Sequence, residues 1–228
     1  MKFANVVKRS LMLLAIAAIT VTSVLSAQTG TGTINSGNIY RTSAGGWYTS
    51  PYKATFSGIT QVTSGYALPT TNTLYDIFCV DFYHHGQSYG ANFSNLADAN
   101  SINVYTRAKN IKTYTMAAWL ASQLSIAPAT SNGVINAAIW QVMGATTVTL
   151  GISQANIDVW KTRADTGSVN AVDWVVVTDR NLRTGYANDG QEFVTRVQVT
   201  PEPATMLLLG SGLLIMLMGA GVLRRPLV

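Results

Sequence analysis

Apolar residues in the middle of the chain recur every three or four positions, and this spacing predicts three helices. The predicted helices cover residues 113–126, 133–143 and 153–164. Pro128 stops the first helix, and we expect Asn132-Gly133 to form the turn before the second. Gly144 is a candidate C-terminal cap for the second helix, and Ser153 is a candidate N-terminal cap for the third.

Strand patterns lie on both sides of these helices. Runs of β-branched and aromatic residues, bounded by Gly and polar residues, favour strands. They predict one or two strands over 52–68, interrupted at Gly58 and Gly65, and further strands over 77–82, 172–179 and 193–199, with a loop over 184–190. Strands, then helices, then strands indicate an α+β fold. We expect an antiparallel β-sandwich or barrel with an inserted helical subdomain.

The first 27 residues have the pattern of a secretory signal peptide. Lys2, Lys8 and Arg9 precede the apolar stretch 11–25, and small residues follow it at 26–28. A basic start, an apolar centre and a small-residue cleavage zone are typical of such signals. An uncleaved N-terminal anchor is the alternative.

The C-terminal end has a second apolar stretch. Pro201-Glu202-Pro203 precedes the uncharged run 204–223, and Arg224-Arg225 follows it. As a helix this run is about 30 Å long, which matches the hydrocarbon core of a bilayer. Arginines beside such a span stay on the cytoplasmic side. We predict a transmembrane helix over 204–223 with everything before it outside the cytoplasm; a plain anchor with a proline-rich stalk is the alternative.

The order of these features resembles the PEP-CTERM sorting signal of Gram-negative bacteria, matched here over 200–228. The resemblance implies recognition in the cytoplasmic membrane by an exosortase, with Pro201, Glu202 and Pro203 as recognised residues and Arg224 and Arg225 as the retention charge. This chain would be the substrate and contribute no catalytic group. It would be a single-pass intermediate with its domain in the periplasm, then part of the cell envelope or of an exopolysaccharide-containing, biofilm-type matrix.

Composition and length limit the kinds of domain that residues between the two terminal segments can form. We expect a flexible leader over 28–46, which enters an edge strand near 39–40, and one domain over 47–199. The formal charge of the chain is +5, but residues 28–200 hold ten Lys/Arg against nine Asp/Glu. A nearly neutral domain gives no electrostatic case for nucleic acid.

Two short motifs in this domain resemble bacterial thioester domains. The first is Phe78-Cys79-Val80-Asp81, and the second is Asn136-Ala137-Ala138-Ile139-Trp140. In that family a strand cysteine is joined to a helix glutamine, and the bond captures amines on target surfaces. Cys79 matches the cysteine, but Asn136 stands at the glutamine position. Because asparagine is one methylene shorter, its carbonyl retreats by about 1.5 Å, and misplacement of about 1 Å costs on the order of a hundredfold in rate.

Structural roles for the same residues are the alternative. Cys79 is the only cysteine in the sequence, so no internal disulfide forms. A small buried hydrophobe is the favoured interpretation, with an intermolecular bridge or a reactive thiol left open. Asn136 could simply hydrogen-bond a strand backbone. Cys79, Asp81, His84 and His85 form the only metal-like cluster, and the chain has no further histidine to complete it.

We therefore expect a non-enzymatic exported protein with a structural or adhesive domain and no cofactor or metal. No phosphate loop, dinucleotide fingerprint or nucleophile elbow is present in the sequence. The expected partners are an exosortase, the cytoplasmic membrane before processing, and exopolysaccharide or other surface proteins. A covalent adhesin using Cys79 is one alternative. A carbohydrate-binding module is another, with Trp47, Tyr48, Tyr52 and Tyr66 as candidate contacts, although these aromatics could equally be half-buried strand residues.

Overall fold

The structure is a computed structural model that describes residues 29–35, 42–44, 47–84, 88–146, 151–181 and 190–197. The signal peptide, the edge strand expected near 39–40, His85, the predicted loop up to residue 189 and the whole sorting signal lie outside these ranges. Within them no helix is long and apolar enough to cross a membrane. The predicted span 204–223 lies outside the described residues.

Six of the described strands close into an antiparallel barrel in the order β1-β4-β5-β8-β7-β6, and β2 and β3 form a separate two-stranded sheet. The strands are β1 (Gly30–Asn35), β2 (Thr42–Ala44), β3 (Trp47–Thr49), β4 (Tyr52–Gln61), β5 (Leu74–Cys79), β6 (Tyr89–Asn95), β7 (Trp174–Asp179) and β8 (Phe193–Arg196). The predicted α+β class is confirmed, and of the two expected architectures the structure has the barrel.

Four described helices are inserted between β6 and β7. They are α1 (Ala99–Tyr105), α2 (Ile111–Gln123), α3 (Asn132–Val142) and α4 (Gln154–Thr166). Side chains start the first two: Asp98 accepts from the Ser101 amide at 3.0 Å, and Asn110 accepts from the Lys112 amide at 3.0 Å. Helices α2, α3 and α4 pack on one another, α1 packs on β6 and α2 on β8. Their apolar faces and the barrel interior form a continuous core.

The three predicted helices are confirmed, with ends shifted by at most three residues. Gly144 does cap α3: its φ is +104°, its amide donates to the Gln141 carbonyl at 3.1 Å, and the Ala145 amide donates to the Trp140 carbonyl at 2.8 Å. This pair of bonds is a Schellman motif. Ser153 is the N-cap residue of α4, without a side-chain capping bond.

The predicted turn at Asn132-Gly133 is wrong. These residues are the first two of α3, and a short 3₁₀ turn at Ala129–Ser131 precedes them. The connection from α2 to α3 therefore contains a turn at 124–126, then Pro128 with its extended backbone, and then the 3₁₀ turn. This Asn-Gly pair is part of the helix because the apolar stripe that follows it is buried against α2 and α4.

The leader predicted over 28–46 is also corrected, because β1 lies inside it and pairs with both β4 and β6. Its sequence, Gly-Thr-Gly-Thr-Ile-Asn, looks too polar for a core strand. The alternating burial of β1 nevertheless places every second residue inside. A Cβ at Gly32 would lie 2.7 Å from the Phe93 ring, so glycine here leaves room for a large aromatic neighbour. The barrel thus begins at residue 30, well before the predicted domain start at 47.

Candidate functional site

Cys79 is the last residue of β5 and has no exposed surface. Its thiol donates to the Asp81 carbonyl at 3.2 Å, and its sulfur accepts the indole N–H of Trp140 at 3.4 Å. Burial raises the pKa of this thiol to about 12, although the Trp140 and Asp81 hydrogen bonds lower it. A thiol with this pKa is protonated at neutral pH, so the nucleophilic thiolate is scarce. The expected buried position of Cys79 is confirmed.

Asn136 lies on the inner face of α3 and is fully buried. Its Oδ1 accepts from the Ser50 amide at 2.9 Å, and its Nδ2 donates to the Asn132 carbonyl at 2.8 Å and to the Ser50 carbonyl at 3.4 Å. The expected bond to backbone is therefore present, and its main partner, Ser50, lies between β3 and β4. Asn136 joins the helical layer to the barrel wall.

Ser50 connects the two residues of the thioester-like motif. While its backbone pairs with Asn136, its Oγ accepts from the Cys79 amide at 2.8 Å. We call Ser50, Cys79, Asn136 and Trp140 the Ser50 junction. The fold therefore brings Cys79 and Asn136 to the same junction. Both side chains are hydrogen-bonded, the thiol to Asp81 and the amide to Ser50 and Asn132.

A charged cluster lies next to the Ser50 junction, where the chain leaves β5. Asp81 Oδ2 lies 2.6 Å from His84 Nδ1 and 3.0 Å from Arg107 Nε, and all three side chains are largely buried. The guanidinium of Arg107 therefore lies beside Asp81, at the place where the metal-like motif would need a metal ion. Among the described residues no group of three or more His, Cys, Asp or Glu could hold a metal ion.

Glu192 is the second carboxyl group of this cluster, and it is fully buried. Its Oε1 accepts from Thr178 Oγ1 at 2.6 Å and from the Arg107 amide at 3.0 Å, and its Oε2 accepts from the Tyr114 hydroxyl at 2.5 Å. Burial raises the pKa of Glu192, while the three donors oppose that rise. Burial and the neighbouring Glu192 raise the pKa of Tyr114 well above its usual value. We call Asp81, His84, Arg107, Tyr114, Thr178 and Glu192 the Glu192 cluster.

Sequence reasoning missed Glu192 and Arg107. They are 85 positions apart and share no motif. One signal in the sequence could have identified Glu192. It is a carboxyl residue directly before an apolar strand, in a chain where only 11% of residues are charged. Charged residues are rarely fully buried unless they are paired.

A cavity of about 140 Å³ that opens to the surface borders the cluster. Asp81, Arg107 and Glu192 line its polar side, and Phe82, Tyr83 and Trp140 line its apolar side. The cavity has the size of a site for a small molecule or a few waters. The carboxyl groups facing it are already hydrogen-bonded within the protein, so the arrangement favours holding the fold over acid–base chemistry.

The aromatic residues proposed for sugar binding do not form a described exposed face. Tyr52 is 5% exposed and packs edge-on against Phe193, with ring centroids 6.0 Å apart. Tyr66 is half-buried. The structure does not describe the side chains of Trp47 and Tyr48. Tyr52 is thus a core residue, as the alternative interpretation has it.

The sorting residues Pro201, Glu202, Pro203, Arg224 and Arg225 lie outside the described residues. Comparison with known proteins adds no assignment: the chain matches no family model, no curated protein and no solved structure.

Proposed function

We propose that this chain is an exported surface or matrix protein, sorted by an exosortase through residues 200–228, and that its barrel domain is a non-enzymatic structural or adhesive module. Two targeting patterns in the sequence support the sorting. The Ser50 junction is the observation that supports a non-covalent role. Its asparagine amide and buried thiol are each held in hydrogen bonds within the domain.

Forming a thioester would require the thiol to attack the side-chain carbonyl of Asn136 and expel ammonia. The thiol would first have to lose its proton despite a pKa of about 12. The departing amide nitrogen would also have to give up its bonds to the Asn132 carbonyl at 2.8 Å and to the Ser50 carbonyl at 3.4 Å, whereas Oδ1 would stay as the thioester carbonyl oxygen. Both requirements favour a domain that acts by contact.

Intact-mass spectrometry of the purified full chain, with and without methylamine, tests the non-covalent role. We expect the mass of the processed sequence, unchanged by the amine, and one thiol that reacts after unfolding. The Cys79→Ser variant is the matched control, because it cannot form the bond. A wild-type mass lower by one ammonia, which rises by the mass of one methylamine when the amine is added, would instead make the protein a covalent adhesin. The Asn136→Gln variant supplies the side chain that the resembling family uses and shows whether asparagine alone prevents the bond.

Sorting is tested separately by producing the chain with a C-terminal tag in cells with and without an exosortase. We expect loss of the tag from the exported domain only when the exosortase is present, and retention of the tag in a Pro201→Ala, Pro203→Ala double variant. Thr205→Ala, just inside the apolar run, is the control and should be processed normally. A wild-type chain that keeps its tag in exosortase-containing cells would contradict the sorting proposal.

A further inference from the structure

A second and larger concavity lies on the side of α2 that faces the barrel wall. Its volume is about 640 Å³, within the range of about 300–1,000 Å³ that is usual for ligand sites. One wall is the segment leading into β5, and the other is the end of α2 with the residues after it. The start of β7 and the end of β8 complete the groove. We call it the Tyr75 groove.

Hydroxyl groups lie on both walls of the Tyr75 groove. On the β5 side, Thr70 Oγ1 lies 2.7 Å from Thr73 Oγ1 and 2.9 Å from the Tyr75 hydroxyl. On the α2 side, Ser122 and Ser125 line the groove. Hydroxyls donate and accept at once, so two such walls match a ligand that carries hydroxyls along both of its edges.

Between these walls the groove is apolar. Phe78 and Trp174, with ring centroids 6.1 Å apart, contribute to its lining but are only 5% and 3% exposed, so the apolar area open to a ligand comes mainly from the rim. Leu74 and Ile126 lie at the rim and are 51% and 75% exposed. Large aliphatic side chains this exposed beside an aromatic lining provide apolar area for a ligand to cover.

The charged groups along the groove balance one another. Asp76 lies 2.6 Å from Lys53, and Arg196 lies 3.2 Å from Asp173. Both pairs include strongly exposed side chains, so each contributes little to stability. Two acids and two bases leave no net charge to attract a phosphate or an acidic ligand. The carboxylate and guanidinium still offer strong hydrogen bonds to neutral hydroxyls.

We propose that the Tyr75 groove binds a short segment of a neutral polysaccharide. A sugar ring has apolar C–H faces and hydroxylated edges, which match the apolar lining and the two hydroxyl walls. A peptide fits less well, because β5, β7 and β8 are each paired on both sides in the closed barrel. They offer no free edge for strand addition. The inference rests on the proposed function in one respect, the display of the domain outside the cell.

The test is calorimetric titration of the full chain with neutral oligosaccharides: cellopentaose, laminaripentaose, maltopentaose and mannopentaose. The detergent must not carry a sugar headgroup, which would compete for the groove. We expect saturable binding of at least one probe with a Kd of about 1 mM or tighter. Pentagalacturonate, an anionic probe of the same length, should bind more weakly.

Two tryptophan substitutions locate the binding. Ser125→Trp places an indole in the groove, and we expect it to weaken binding at least about tenfold. Thr162→Trp places the same side chain on the exposed face of α4, outside the groove, and should leave the affinity unchanged. Urea unfolding of both variants checks that they fold.

Three results would overturn the inference: no binding of any neutral probe, equal binding by Ser125→Trp, or tighter binding of the anionic probe. None of these results would change the outcome of the intact-mass and sorting experiments. The sugar-binding inference can therefore be wrong while the proposed function stands. A thioester found by mass spectrometry would have the opposite effect, because it overturns the non-covalent role and leaves sugar binding measurable.

Discussion

The Ser50 junction and the Glu192 cluster are two buried polar regions that both join the helices to the barrel. Trp140 belongs to the first and lines the same cavity as three residues of the second. The Ser50 junction consists of neutral groups, an amide, a hydroxyl and a protonated thiol, that hydrogen-bond to backbone. The Glu192 cluster contains two carboxyl groups, a guanidinium and an imidazole, together with the hydroxyls of Tyr114 and Thr178. Neutral bonds hold at any moderate pH, whereas a buried charge depends on all its partners and on protonation.

The largest expected effect comes from removing the central carboxyl group of the charged region. Glu192→Ala leaves the Tyr114 hydroxyl, the Thr178 hydroxyl and the Arg107 amide without their acceptor. We expect the free energy of unfolding to fall by about 3–5 kcal/mol. Urea unfolding followed by tryptophan fluorescence measures this. Asp165→Ala, which removes one side of an exposed ion pair with Lys112, is the control and should change stability by less than about 0.5 kcal/mol. A similar small loss for Glu192→Ala would show that the cluster does not stabilise the fold.

A smaller loss is expected when the neutral region is broken. Asn136→Ala leaves the buried Ser50 amide without its acceptor, and such an orphaned donor costs about 1–3 kcal/mol. The same unfolding assay applies. Asn156→Ala, on the exposed face of α4, is the matched control and should be nearly neutral. Equal stability of the two variants would contradict the role assigned to Asn136.

The smallest expected effect distinguishes the two regions by pH. Because the pKa of Glu192 is raised above its ordinary value of 4.5, the folded state keeps a proton that the unfolded chain releases. Its contribution to stability is therefore fully present below pH 4.5 and is lost as pH rises through the folded pKa. Between the unfolded and folded pKa values, the loss is about 1.4 kcal/mol for each pH unit. Glu192→Gln removes this titration, so wild-type stability relative to this variant should fall with rising pH. The difference between wild type and Asn136→Ala should stay constant. A relative gain for wild type with rising pH would mean that the donors outweigh burial.

Much of the helical layer was predictable from sequence. The stripes of α2, α3 and α4 repeat at helical spacing, and Gly144 marks the end of α3 through its left-handed backbone. Strands β7 and β8 were found as short apolar runs because their residues are almost all buried, and β5 was found through its buried second half at 77–79.

The rest depends on tertiary contacts that local patterns do not record. Strands β1 and β6 are rich in Gly, Asn and Ser. They are strands because they pair with each other and with the neighbouring strands of the barrel. The site divides in the same way. Cys79 and Asn136 were found through a local motif, whereas Ser50 reaches Asn136 across 86 positions and Glu192 reaches Arg107 across 85 positions, which no local pattern records.

The closure of the barrel also determines when the domain can finish folding. Strand β1 at residue 30 pairs with β4 and then with β6, and the second side of β5 is completed only by β8, whose first residue pairs with Cys79 across more than a hundred positions. Pairings this distant make folding slow. A chain that emerges from its N-terminus completes its sheet only when Arg196 has appeared. Closure therefore depends on the last strand, because the barrel is incomplete until β8, which lies just before the proposed sorting region, is available.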